Sequence, residues 1–303
     1  MSNVDTPAEP GTAQDTNGGK VVVGVDGSDG SQLALDWAAS KQDALGEVMP
    51  VSAYHIEALG DGVGTPSIYN DIMAVLREDA EAKLGLALAR HPELADRGQV
   101  VRGYPGPALV RAAENQRLLV VGSRGRSALA ETLLGSVASY CVKHATVPVA
   151  VIPEGTPVDR PLGSILVGAD GSANADAALA WAARHVAPGG RITALGCRVP
   201  APYALELVPP APRSDDEIRG TIQEEVDRSV GEVQQAGEMA DGVTVEVQVT
   251  DGDPRLALRE AGAEADLLVV GARGHRGAAY LLLGSVTTSL VHHPTVPTVV
   301  VPG

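Results

Sequence analysis

Along this chain, short aliphatic runs alternate with longer stretches in which apolar residues recur every three or four positions. The runs fall at 20–25, 48–54, 99–102, 118–121 and 147–152, and again at 164–169, 191–196, 243–249, 267–270 and 296–301. Helix-period stretches lie between them, near 31–44, 67–90, 107–116 and 136–144, then 173–186, 214–236, 254–264 and 285–293. A run that is apolar at every position has no wet face, so it predicts a strand covered on both sides. The order β-α-β-α-β-α-β-α-β, met twice, predicts two tandem five-stranded α/β domains, each a doubly wound parallel sheet. Right-handed crossovers put helices on both faces. Ligands of such sheets bind beyond the carboxyl ends of the strands, where strand order reverses.

The letters repeat as well as the pattern. VVVGVDGS (21–28) returns as ILVGADGS (165–172) and ALDWAAS (34–40) as ALAWAAR (178–184), both 144 residues later. RLLVVGSRG (117–125) returns as DLLVVGARG (266–274) and HATVPVAVIP (144–153) as HPTVPTVVVP (293–302), both at 149. The growth of the offset from 144 to 149 places about five extra residues in the second copy, with the Pro-rich stretch 199–212 as their place. Residues 20–153 and 164–303 are therefore expected as two copies of one domain, joined by a Pro- and Gly-rich linker at 154–163. Residues 1–19 read as a disordered tail, with neither the basic start nor the apolar stretch of a signal peptide.

Composition narrows the partners. The 303 residues suffice for two domains of about 150 residues each. Hydrophobic residues make up 44% of the chain, and with no Phe at all the cores must be built from Val, Leu and Ala. Acids outnumber bases 38 to 23, for a formal charge of −15, which argues against nucleic acid and anionic membrane as partners. A small anion can still bind where the charge is locally positive. No window has the ~18 apolar residues of a membrane span. Cys141 and Cys197, 56 residues apart with no CxxC, fit neither a disulfide framework nor a zinc site and read as core thiols in a reducing compartment. The expected location is the cytoplasm.

The candidate chemistry lies in VVGSRGRSALAETLLGSV (120–137) and VVGARGHRGAAYLLLGSV (269–286). In each, a strand runs into two glycines three apart, Gly122 and Gly125 or Gly271 and Gly274. Glycine permits a sharp turn and lets a ligand approach the main chain. Nine residues later comes Gly-Ser, Gly135–Ser136 or Gly284–Ser285, followed by apolar residues at helical spacing. That makes the serine an N-cap or first-turn residue of a helix whose free N–H groups attract anions. Two glycine corners facing that helix start would cradle phosphates. Arg124 and Arg126, or Arg273 with His275 and Arg276, would supply local positive charge. Asp26 and Asp170, after the first strand of each copy, either accept a ribose hydroxyl or hold a metal-bound water. The other reading is a helix cap, which Ser28 could also provide.

The spacing G-x2-G-x9-G-S after an aliphatic strand, paired with an Asp after strand one, resembles the universal stress protein family. The resemblance covers about residues 20–302 and implies a Rossmann-like fold, akin to the adenine-nucleotide alpha hydrolases, that binds ATP. The expected ATP-binding set is Gly24, Asp26, Gly122, Arg124, Gly125, Arg126, Gly135, Ser136 and Val137, of which the resemblance carries over the glycines 122, 125 and 135 with Ser136 and Val137 at the phosphates and Asp26 near the ribose and adenine. In the second copy it is Gly168, Asp170, Gly271, Arg273, Gly274, His275, Gly284, Ser285 and Val286. The adenine edge is implied to meet main chain near His55 and Arg198, at the ends of the second strands. Mg2+ could accompany the ATP near Asp26 or Asp170.

The remaining residues read structurally. Trp37 and Trp181 are expected to anchor the first helix of each copy on its sheet. His144 and His293 are expected to satisfy carbonyls at helix ends rather than bind metal. The aliphatic last strands would pair edge to edge, joining the two copies as a pseudo-dimer or two chains as a homodimer. Three functions compete: a stress-response regulatory protein with one nucleotide site per repeat, a slow ATP hydrolase, and a dimeric scaffold whose glycines only make turns. There is no GxxxxGK[ST] and no GxGxxG. No catalytic residues are assigned, and the first function is preferred.

Overall fold

The computed structural model describes residues 19–56, 66–125, 134–198, 214–274 and 283–303. In the first repeat the elements are β1 (Val21–Gly24), α1 (Asp29–Ala39), α2 (Gln42–Leu45), β2 (Val48–Tyr54), α3 (Pro66–Leu88), β3 (Gln99–Arg102), α4 (Pro105–Ala113), β4 (Leu118–Gly122), α5 (Ser136–His144) and β5 (Val149–Ile152). The second follows with β6 (Ser164–Gly168), α6 (Ala173–His185), β7 (Arg191–Arg198), α7 (Asp215–Gln235), β8 (Thr244–Asp251), α8 (Pro254–Gly262), β9 (Leu267–Gly271), α9 (Ser285–His292) and β10 (Thr298–Val301). A 3-10 turn at Pro92–Arg97 enters β3, with Leu94 buried beneath it. Periodicity gives no signal for it, because six residues are too few to show one.

All ten strands form one sheet in the order β3-β2-β1-β4-β5-β10-β9-β6-β7-β8. Every pairing is parallel except β5 with β10, where Val151 faces Thr298 and Val149 faces Val300. The final strands thus join the two repeats within one chain. In each repeat strand order reverses between the first and fourth strands, at β1/β4 and β6/β9, so a crevice opens beyond their carboxyl ends.

Alternation explains why the inner strands are apolar almost throughout, while the edge strands β3 and β8 carry exposed polar residues such as Gln99, Glu246 and Gln248. Val21 and Val23 point into a layer with Leu35 and Trp37 of α1, while Val22 points into the opposite layer with Leu109 of α4. The seam is alike: Ala150, Ile152, Val299 and Val301 serve one layer, and Val149, Val151 and Val300 the other. Each layer therefore runs through both repeats. Trp37 and Trp181 are 1% and 6% exposed, in the anchoring role expected of them.

The linker face shows how the repeats have diverged. Lys41, one turn beyond Trp37, is buried, lies 5.7 Å from the Trp37 ring centroid and donates to the carbonyl of Val158. Burial pulls its ammonium below the usual lysine range, against Asp159 and Asp266, which push it back up. At the matching place His185 stacks on Trp181, ring centroids 4.2 Å apart, and its Nδ1–H donates to the Trp181 carbonyl. Burial drives the imidazole down to about 4, with Arg117 and Arg184 lowering it further. His185 is thus neutral in the folded chain at pH 7. An unfolded histidine titrates near 6.5, so the unfolded chain takes up the proton first as pH falls. Stability is fully retained above about pH 6.5 and lost down to about pH 4, by roughly 2–3 kcal/mol from this residue. Urea unfolding of His185→Gln across that window should show a shallower loss than the parent; parallel curves would refute the assignment.

Candidate functional site

Each β1-type strand ends in a turn whose glycine sits at positive φ, Gly27 at 79° and Gly171 at 77°. The cap that follows is serine. The Ser31 N–H donates to Ser28 Oγ at 3.1 Å, and the Ala175 N–H to Ser172 Oγ at 3.3 Å. The aspartate braces that serine: Ser28 donates from N and Oγ to Asp26 Oδ1 at 3.0 and 2.6 Å. Ser172 does the same to Asp170 Oδ1 at 3.1 and 2.6 Å. With Oδ1 fixed this way, Oδ2 faces the other glycine loop. A Cβ built on Gly125 would stand 2.7 Å from Asp26 Oδ2, and one on Gly274 closer still to Asp170 Oδ2. The carboxylate and the GxxG loop therefore share one wall of the crevice.

The first glycine of each phrase has another task. A Cβ on Gly122 would lie 2.6 Å from the carbonyl oxygen of Gly30 and 2.7 Å from its carbon, in the first turn of α1. A Cβ on Gly271 would lie 2.6 Å from the Cβ of Asn174, the residue at the Gly30 position of α6. These glycines let the helix sit on the strand end. Gly24 and Gly168 lie under α4 and α8, where a Cβ would come 2.7 and 3.3 Å from Leu109 and Leu258.

The chain returns to the loop at Gly135 and Gly284. Their N–H groups donate to the Ser123 and Ala272 carbonyls, both at 2.8 Å. Each glycine is the N-cap of the next helix, and no side chain caps either start. Ser136 and Ser285 are thus first-turn residues, followed by half-buried Val137 and Val286. The N-cap Gly135, at the positive end of α5, lies against residues 123–125, and Gly284, at that of α9, against 272–274. Arg124 places Nη1 3.7 Å from Glu154 Oε1. Its Nε is buried with no hydrogen-bond partner among the described residues, a donor that an acceptor oxygen would satisfy. Arg273 is half-buried at the matching place. Arg126 and His275 lie outside the described residues, as does the side chain of Arg198.

At the end of β2, His55 lies against Tyr104, ring centroids 4.5 Å apart and tilted by 41°. Tyr104 begins α4 and is 55% exposed. Sequence reasoning missed it. A signal was present in an aromatic set between a strand-end glycine and Pro105. Sheet register pairs Tyr54 with Arg102 and Arg198 with Asp251, so Arg198 corresponds to Tyr54 rather than to His55. In the second repeat the Tyr104 position is Asp253, which caps α8 and holds the Arg255 guanidinium. That hydrogen bond keeps Asp253 below the usual carboxylate range.

Away from the crevices, His144 lies against Tyr140, ring centroids 4.2 Å apart and tilted by 32°. Cys141 is a buried thiol pushed up to about 12 by desolvation, which makes it a core residue and no nucleophile.

The doubly wound sheet and its twin glycine phrases belong to a recognised class: the Universal stress protein family pattern matches residues 19–153 and again 162–302, and the chain is a member of that family. Its tandem form is shared by relatives. The Universal stress protein Rv2005c of Mycobacterium tuberculosis is 32% identical over 299 residues, covering 92% of this chain and 96% of the relative. Universal stress protein Rv1996 of the same organism is 29% identical, covering 95% and 96%. Among solved structures, a universal stress protein from Archaeoglobus fulgidus superposes with a TM-score of 0.66 at 23% identity, covering 93% of this chain and 98% of that one, a likeness of fold.

Proposed function

We propose that this universal stress protein is a regulatory ATP-binding protein with one nucleotide crevice in each repeat, working in the cytoplasm. The observation that carries the reading is the convergence of three groups at one strand-order reversal: the Asp26 carboxylate, the Gly125 main chain and the start of α5. The same three recur at Asp170, Gly274 and α9. A triphosphate tail suits such a wall, because first-turn amides and a helix dipole favour negative charge, and glycines let oxygens reach the main chain. Arg124 Nε adds a donor in need of an acceptor. Mg2+ entering with the phosphates would take most of its ligands from them and water, leaving one place for Asp26 or Asp170. Two free thiols suit a reducing compartment.

Nucleotide released by denaturing the pure full-length chain, resolved by anion exchange, is expected to include ATP. Added MgATP at a hundred times its Kd should stabilise the fold by about 2.7 kcal/mol per site, visible as a rise of several degrees in Tm. A chain that carries no nucleotide and melts at the same temperature with MgATP would leave the scaffold function standing.

A further inference from the structure

We propose that Tyr104 is the base-stacking residue of the first crevice, so that the first repeat holds a nucleotide by its base as well as by its phosphates. The inference rests on the nucleotide-binding reading above and names a further contact within it. Both repeats build the same frame at this place. Gly103 at φ 145° and Gly252 at φ 125° follow the third strand of each repeat, and Pro105 and Pro254 open α4 and α8. The residue between glycine and proline is the N-cap. Asp253 caps α8, its carboxylate accepting from the Arg255 N–H at 2.9 Å. Tyr104 makes no such bond, and α4 starts without a side-chain cap. A tyrosine there forgoes what Ser, Thr, Asp or Asn would supply. A local rule kept in one copy and broken in the other points to a task other than folding.

The position of the ring names that task. Among the described Trp and Tyr side chains Tyr104 alone is exposed; Trp37 and Trp181 are buried, and Tyr54, Tyr69 and Tyr140 are half-buried. Strand β2 runs past β1: Gly24 stands opposite Val51, so Tyr54 and His55 project beyond the end of β1, on the side away from β4. Tyr104 is fixed to that projecting end. Its ring lies against His55, and the Gly103 N–H donates to the Tyr54 carbonyl at 2.9 Å. From there α4 passes over the end of β1, where a Cβ on Gly24 would meet Leu109, and reaches α5. A Cβ on Gly106 would lie 2.8 Å from Tyr140 Cγ, one turn after Ser136. Tyr104 and the start of α5 thus border one crevice, from the β2 side and the β4 side. Phosphates held at α5 leave the base to the β2 side, where an exposed ring offers a π-face. In the second repeat Asp253 holds the Arg255 guanidinium instead, so the stacking contact belongs to the first repeat.

Hydrogen exchange on the nucleotide-stripped full-length chain, titrated with MgATP or with magnesium tripolyphosphate, reads each crevice through its own peptides. Tyr104→Ala should raise the MgATP midpoint for protection around 122–125 by about tenfold and leave that around 271–274 unchanged. Its tripolyphosphate midpoint should stay within about twofold of the parent's, because that ligand has no base. Tyr104→Phe keeps the ring and should stay within about threefold for MgATP. Tyr104→Asp should weaken MgATP as alanine does, yet raise the Tm of the empty chain by restoring the cap. Unchanged MgATP binding in Tyr104→Ala, an equal loss with tripolyphosphate, or an equal loss in Tyr104→Phe would overturn the base contact and leave nucleotide binding intact. A lowered Tm for empty Tyr104→Asp would also overturn it, since the tyrosine would then be serving the fold. A parent chain that MgATP protects at neither crevice overturns both readings together.

Discussion

Gly122→Val is expected to destabilise the chain by upwards of about 3 kcal/mol, although it only adds an apolar side chain next to a buried strand. The new Cβ would stand 2.6 Å from the Gly30 oxygen and 2.7 Å from the Gly30 carbon. Both opposing atoms are backbone, in the first turn of a helix fixed by the Ser28 cap and by Trp37 deep in the core. A crowded side chain can change rotamer; a crowded helix start must move as a body and open the layer beneath it. Gly85→Ala is the control. Gly85 is a glycine inside α3 where a Cβ meets nothing within 4 Å, so the change should be neutral or stabilise by up to about 1 kcal/mol. Urea unfolding followed by the fluorescence of buried Trp37 and Trp181 reads both variants. Equal midpoints for Gly122→Val and the parent would mean that α1 does not depend on that contact.

That contrast marks what could be learned from the letters. The strands and long helices were legible because the chain writes them twice, as aliphatic runs no open sheet edge would need. The class of fold and its crevice followed from their order. What stayed hidden depends on partners far away in sequence. Gly122 and Gly125 are the same letter three residues apart, yet one faces Gly30 and the other Asp26. No local pattern distinguishes a glycine kept for a helix from one kept beside a carboxylate. Asp26 was ambiguous between cap and ligand for the same reason: Ser28 caps, and Asp26 braces it through one oxygen while turning the other to the loop. Whether the last strands join repeats or chains could not be read from their composition either, since any two aliphatic edges will pair. Lys41 and His185 occupy equivalent places but became intelligible only when the linker carbonyl of Val158 and the side chains of Arg117 and Asp266 came beside them.

Substitution at Gly125 should separate binding from folding, which Gly122 cannot do. Gly125 has no positive φ, so alanine is tolerated by its backbone. The added Cβ would stand 2.7 Å from Asp26 Oδ2, and that oxygen cannot swing away freely because Oδ1 is held by Ser28 through two hydrogen bonds. The loop must therefore shift, carrying the main chain away from the start of α5. Phosphate recognition by main-chain donors falls steeply with distance, so Gly125→Ala should weaken MgATP at the first crevice by about tenfold. Gly125→Asp adds a second carboxylate facing both Asp26 and the incoming phosphates, and about a hundredfold loss is expected. Neither change touches the layers between sheet and helices, so Tm without nucleotide should stay within a few degrees of the parent. The charge separates a cradle from a simple turn. If Gly125→Ala and Gly125→Asp weakened MgATP equally, or not at all, the loop would be shaping the chain rather than meeting an anion.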